Sequence, residues 1–299
     1  MGLSRHWHDW DLPLIRIEQL SFGYRKSPLY QDFNLCLNEP GVYGLFGRNG
    51  SGKSTLLLLL AGLLFPKGGH VDVQGHTPAK RRADFLSQVY IVPEEFHLPN
   101  LRPDKLAQTQ SVFYPNFSSE SFAEYLRIFE VPPERSFEEM SLGQKKKAAV
   151  AFALATFTPV LLLDEPTNGL DIISRDQFKT IMARPEQRQR IVLISTHQAH
   201  DLERIMSHIL FIDGASLALS ATMAELGSAL SIGVAADAAA LSAIPDILYS
   251  EALGTQQAYV AVNHAATAGE VNLELLYKAL SLRKDAVLAV LAAKEKARV

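Results

Sequence analysis

The sequence predicts an α/β fold, and three stretches carry that prediction. Gly41-Val42-Tyr43-Gly44-Leu45-Phe46 reads as a short buried strand. It runs into Gly47-Arg48-Asn49-Gly50-Ser51-Gly52-Lys53-Ser54-Thr55, and an apolar run of helix formers follows from Thr55 to Leu64. Val160-Leu161-Leu162-Leu163 drives straight into Asp164-Glu165, the pattern of a buried parallel strand with carboxylates at its C-terminal end. Arg190 to Ser195 repeats the plan and ends at Thr196-His197.

The glycine-rich stretch matches G-x-x-x-x-G-K-[ST], and it has the strand-before, helix-after context the motif needs. Glycines let backbone N–H groups turn inward onto phosphate oxygens, and the helix N-terminus adds its positive end. Gly47, Asn49, Gly50, Ser51, Gly52, Lys53, Ser54 and Thr55 are therefore the expected cradle of a nucleoside triphosphate. Lys53 is expected on the β and γ phosphates and the Ser54 hydroxyl on Mg²⁺.

Bulk properties bound the rest. At 299 residues the chain holds one large or two modest domains. It is 47% hydrophobic and 20% charged, with a net charge of −3, so no basic bias toward nucleic acid or anionic lipid exists. The single cysteine, Cys36, excludes an internal disulfide framework and fits a reducing compartment. No basic-then-apolar leader is visible, so secretion is not expected. The longest apolar block, Leu56 to Phe65, falls far short of the ~20 residues that cross a bilayer. Any action at a membrane must go through a partner that spans it.

In chain order, Met1 to Asp11, with His6, Trp7, His8 and Trp10, has no clear period and reads as a loosely docked tail. Leu14 to Glu18 alternates like a strand, and a second strand is expected around Phe33 to Leu37. Tyr24 between them is either strand packing or a face for stacking a nucleobase. Gly68-Gly69 marks a turn, His70 to Gln74 a strand, and Gln88 to Val92 another that Pro93 stops. Glu94 and Glu95 then either bind Mg²⁺ or form an exposed acidic loop.

From about 95 the character changes. Prolines at 99, 103, 115, 132 and 133 punctuate helical patterns, among them Ser121 to Phe129 with Phe122, Tyr125, Leu126 and Phe129 on one face. This predicts a helical insertion over about 95–156. Ser141 and Gly143 sit where its last, alanine-rich helix begins, and Lys145-Lys146-Lys147 reads as a solvated turn of it. Asp164 is placed to hold Mg²⁺, and Glu165 to orient and deprotonate a water. His197 ends a parallel strand on the edge where the other phosphate-site residues gather. Ile209 to Ile212, Asp213-Gly214 and Ser216 to Leu219 form a hairpin.

The order of phosphate loop, Ser141-Leu142-Gly143-Gln144, the Asp164-Glu165 strand end, Asp171 and His197 resembles the nucleotide-binding subunit of ATP-binding cassette (ABC) transporters, bacterial efflux subunits among them. The resemblance spans about Leu14 to Leu219 and implies a P-loop NTPase cassette. Such a cassette has a mixed sheet with a RecA-like core, an antiparallel β subdomain and a helical subdomain. By the same resemblance Tyr24 stacks on adenine, Glu165 is the catalytic base and His197 contacts the γ-phosphate. Ser141, Gly143 and Gln144 complete the ATP site of a second cassette subunit, in a homodimer or heterodimer. Leu142 stands where the family's signature has a glycine, and Glu94 where it has a glutamine that senses Mg²⁺.

The resemblance further implies ATP and Mg²⁺ as cofactors, an integral membrane permease as partner and the cytoplasmic face of the membrane as location. Export is the expected direction. A soluble cassette acting on ribosomes or nucleic acid is the alternative, but one phosphate loop, no heptads and no cysteine pairs favour the transporter, with no nucleic acid partner. Residues 1–228 are expected to form the cassette and 229–299 a small C-terminal α/β appendage. Within the latter, Ser231 to Ala235 and Ala258 to Val262 read as strands and Asn272 to Leu291 as a helical run.

Overall fold

The computed structural model describes residues 14–25, 27–197, 202–265 and 267–296. The tail with His6, Trp7, His8 and Trp10 lies outside them. Twelve strands are described: β1 (Ile15–Tyr24), β2 (Ser27–Leu37), β3 (Gly41–Gly47), β4 (Gly68–Val73), β5 (Val89–Val92) and β6 (Val160–Asp164), then β7 (Ile191–Ser195), β8 (His208–Asp213), β9 (Ser216–Thr222), β10 (Leu230–Ala235), β11 (Ile247–Leu253) and β12 (Gln256–Val262).

They form three sheets. The central one has the order β5-β6-β7-β3-β8-β9, parallel except for the β8–β9 hairpin. Every residue of β3, β6 and β7 is buried. That explains their uninterrupted apolar runs, because strands covered on both faces cannot alternate. All parallel strands deliver their C-terminal ends to one edge, and the register opposes Asp164 to Ser195. The antiparallel sheet β2-β1-β4 shares one buried cluster with the central sheet, through Ile15, Phe33, Leu45, Leu56 and Leu162.

Between β5 and β6 lies the helical insertion. Its helices span Pro103–Gln110, Ser119–Ile128 and Leu142–Ala155. The second starts two residues earlier than its apolar period predicts, because the Ser118 hydroxyl caps it by accepting from the Ser121 amide at 3.1 Å. Phe152, fully buried, packs rings with Tyr90, Tyr114, Phe117 and Phe122 and so joins insertion to sheet.

Three expectations are corrected and one strand is added. Gly68-Gly69 is no turn: both belong to β4, and a Cβ on Gly69 would sit 2.4 Å from the Gln19 carbonyl oxygen of β1. Its glycine serves close backbone approach at a strand bulge. The helix after the phosphate loop spans Lys53–Leu60 and stops short of Leu64, with Gly62 at φ +67° just beyond its end. The Asn272 to Leu291 run is two helices, Leu273–Leu282 and Lys284–Lys296, separated at Arg283. Finally, β11 was not foreseen, and it completes the antiparallel sheet β10-β12-β11.

Residues after β9 pack into the same core as the central sheet. Leu226, Leu230, Val260 and Leu276 belong to the same buried cluster as Val42, Leu161 and Phe211. Phe211 meets Tyr277 edge-on at 5.8 Å, and the Leu273 amide donates to a Glu203 carboxylate oxygen at 3.0 Å. No described helix is long and apolar enough to cross a membrane.

Candidate functional site

The phosphate loop is built by conformations that only glycine takes without strain. Gly50 has φ +79° and Gly52 φ +102°, and Gly52 is the residue that starts the Lys53–Leu60 helix. A Cβ on Gly52 would lie 2.4 Å from the Tyr30 hydroxyl, which donates to the Gly52 carbonyl at 2.8 Å. Tyr30 is therefore a loop-holding residue that sequence reasoning missed; it sits on β2, which the Phe33–Leu37 expectation did not reach. Burial raises its hydroxyl well above the ordinary tyrosine range.

No acidic side chain occupies the first turn of that helix, so its positive end is free for an anion. The Lys53 ammonium donates to the Gly47 carbonyl at 2.8 Å and the Arg48 carbonyl at 3.2 Å, folded back across the loop. Burial lowers its pKa, while Glu165, Asp164 and Glu94 act the other way and favour the ammonium. The Ser51 hydroxyl is buried with no hydrogen-bond partner, an arrangement costing ~1–3 kcal/mol unless something completes it. An orphan buried hydroxyl in a glycine-turned loop, just before a helix start with no acid in its first turn, fits a phosphate. Ser54 and Asn49 are exposed, whereas Thr55 is buried.

Tyr24 lies beside this loop, half exposed, its hydroxyl 3.1 Å from Thr55 Oγ1 and its ring edge-on to Phe22. Packing thus holds one edge and leaves a face open.

At the neighbouring strand ends, Asp164 is 5% exposed and accepts from the Ser195 hydroxyl. Ser195 Oγ also accepts from the Glu165 amide at 3.2 Å. Ser195 thereby orients both acids, and only the β6–β7 register reveals it. Glu165 takes φ +46°, the left-handed region that a side chain with a Cβ enters at a cost. Its carboxylate Oε1 is 2.9 Å from His197 Nδ1, with His197 half exposed. Glu94 is exposed on the loop after β5, and its carboxylate accepts from the Asn168 side-chain amide at 3.0 Å.

A magnesium ion fits this set without a cage. Mg²⁺ keeps several waters and takes one or two carboxylates plus substrate phosphates. Asp164 and the Ser54 hydroxyl offer that, and no cluster of three or more metal-ligating side chains exists among the described residues.

Ser141 and Gln144 do not join this group through any hydrogen bond described. They close on each other in a capping box: the Ser141 amide donates to Gln144 Oε1 at 3.0 Å, and the Gln144 amide to Ser141 Oγ at 3.3 Å. Ser141 is exposed, Leu142 is 74% exposed, and Gly143 approaches the Gly169 carbonyl. Asp171 caps the next helix, its carboxylate accepting from the Ser174 amide at 2.7 Å, and those hydrogen bonds hold it below the usual carboxylate range. Lys146 departs from expectation: the lysine triplet is no uniformly solvated turn. It is 6% exposed, and its ammonium donates to the Glu165 carbonyl at 2.6 Å.

A phosphate-binding loop, two acids and a histidine on one parallel-sheet edge, with a helical insertion between them, define a P-loop NTPase cassette. The family model described as ABC transporter matches residues 30–168. "ABC transporter ATP-binding protein YtrB" of Bacillus subtilis (strain 168) is 29% identical over 210 residues, 68% of this chain and 70% of that protein. "Thiamine import ATP-binding protein ThiQ" of Vibrio vulnificus is 30% identical over 225 residues, 71% of this chain and 93% of that protein. The solved "Structure of ATP binding subunit of ABC transporter" superposes with a TM-score of 0.64 at 23% identity, covering 71% of this chain and 91% of the other, and shows the shared fold. The chain belongs to the ABC transporter family, as an ATP-binding protein.

Proposed function

We propose that the protein is the ATP-hydrolysing subunit of a transporter, dimerising around two Mg-ATP to power a separate membrane permease at the cytoplasmic face. One observation carries the reading: Glu165 projects from β6 at the sheet edge that bears the phosphate loop of β3, with His197 from β7 held 2.9 Å from its carboxylate.

Bound Mg-ATP supplies the phosphoanhydride bond to be broken. The loop amides and Lys53 would bind its phosphates, and Ser54 with Asp164 would hold the ion, with Glu94 as a further oxygen donor. Tyr24 offers its open face to the base. Glu165 takes a proton from the attacking water, and His197 keeps that carboxylate aimed while reaching the γ-phosphate. Ser141 and Gln144 make their described hydrogen bonds to each other and none to their own phosphate loop, so with Gly143 they are assigned to a second copy, or to a sister cassette in a heterodimer. A solvent-facing Leu142 supports that assignment.

Residues 1–228 are taken as the cassette and 229–299 as an accessory unit docked on it. That unit favours export. The match to the thiamine import protein uses 93% of its length but 71% of this chain, so the importer has little to correspond to the accessory unit.

Glu165→Gln is the test. It is expected to bind ATP, to hydrolyse it at least about a hundredfold more slowly, and to accumulate as an ATP-dependent dimer on a sizing column. Unchanged turnover would remove Glu165 as the base.

A further inference from the structure

The one buried lysine among Lys145, Lys146 and Lys147 has no role in the scheme above. It lies in the second turn of the helix capped by Ser141, and it reaches across to the turn that follows β6. The Glu165 carbonyl it contacts is already the acceptor of the Asn168 amide at 3.2 Å, the bond that closes the Glu165–Asn168 turn. The Asn168 side chain continues the chain of contacts, donating to Glu94 at 3.0 Å. One ammonium thus links the signature helix, the turn carrying Glu165, and the loop carrying Glu94.

Charge agrees with geometry. Burial lowers the pKa of Lys146, and Glu94, Glu165 and Asp164 oppose that and favour the ammonium. Glu165 needs such a clamp: at φ +46° its backbone sits in a sparsely populated region that persists only where surroundings over-determine it. A charge-assisted hydrogen bond of 2.6 Å to its own carbonyl provides that constraint.

We infer that Lys146 is a positioning residue: its ammonium locks the Glu165 main chain in the left-handed conformation, fixes the direction of the carboxylate, and transmits movement of the Ser141 helix to Glu165 and, through Asn168, to Glu94. The inference rests on the reading of Glu165 as the base.

Lys146→Met keeps length and apolar packing but removes donor and charge. Turnover is expected to fall about tenfold, the value of one charged hydrogen bond, with KM for ATP and affinity for a fluorescent ATP analogue unchanged. In the nucleotide-free protein the Asn168 amide is expected to exchange with deuterium about tenfold faster, while the central strands keep their protection. Lys146→Gln, which keeps a donor without the charge, is expected to recover part of both effects.

Wild-type turnover in Lys146→Met, unchanged exchange at Asn168, or faster exchange throughout the sheet would each overturn the inference. Should Lys146→Met fail to fold, the same readouts on Lys146→Gln decide. Glu165→Gln run in parallel separates the two readings. Full turnover there sinks the base assignment, whereas a dead Glu165→Gln beside a fully active Lys146→Met sinks only this proposal.

Discussion

Replacing Ser195 with alanine removes the hydroxyl that donates to the Asp164 carboxylate inside a site where both residues are buried. The Glu165 amide loses its 3.2 Å contact to Ser195 Oγ but keeps the Ser195 carbonyl at 3.0 Å, so the penalty falls on Asp164. A hydrogen bond to an ionised partner contributes about 1.5–3 kcal/mol, and a buried acceptor left unpaired sits at the upper end of that range. With melting temperature responding by about 2–4 °C per kcal/mol in proteins approaching this size, Ser195→Ala is expected to melt about 5 °C lower. Differential scanning calorimetry of the nucleotide-free protein measures this directly. Ser220→Ala, at an exposed position of β9, is the control, expected within about 0.5 kcal/mol of wild type. Equal melting temperatures for Ser195→Ala and the control would refute the claim that Ser195 holds Asp164.

Two further outcomes follow from burial. Phe152→Ala removes the fully buried ring around which Tyr90, Tyr114, Phe117 and Phe122 pack, so chemical denaturation should show a loss of about 3–5 kcal/mol; a loss under 1 kcal/mol would mean the insertion is not joined to the sheet there. Burial also holds the hydroxyls of Tyr30, Tyr43 and Tyr90 above their ordinary value of 10.0. Their folded-state pKa is raised, so above pH 10 the unfolded chain gives up protons that the folded one keeps. Their contribution is complete below the unfolded value and declines as pH climbs past it. Thermal melts between pH 9 and pH 11.5 should show stability falling from about pH 10, less steeply in Tyr30→Phe; a flat profile would contradict the burial of these groups.

Much of the candidate site was legible in the chain itself. Gly47 to Thr55 fixes its own shape within nine residues, because the required backbone turns are ones that glycine takes cheaply and because the flanking apolar runs can only be a buried strand and a helix. The acids of β6 and the histidine after β7 were legible for the same reason: a continuous apolar run ending in a charge marks where a parallel strand leaves the core. Gly69 was not, since its glycine answers to the Gln19 carbonyl of β1, far away in sequence. Nor was β11, since it is an edge strand, half-buried to exposed, with no clean apolar alternation to mark it.

The lysine triplet shows where local information stops. Three identical side chains in succession carry no mark of which is buried, yet a helix turns about 100° per residue, so a single one faces inward. Only the packing of the Ser141 helix against the β6 turn chose Lys146, and only strand register set Ser195 opposite Asp164. Sequence spacing by itself determined which groups arrive at the sheet edge. Tertiary structure decided what holds them there, because a hydrogen bond spanning 19 residues (Lys146 to Glu165) or 31 (Asp164 to Ser195) exists only once the core has closed around it.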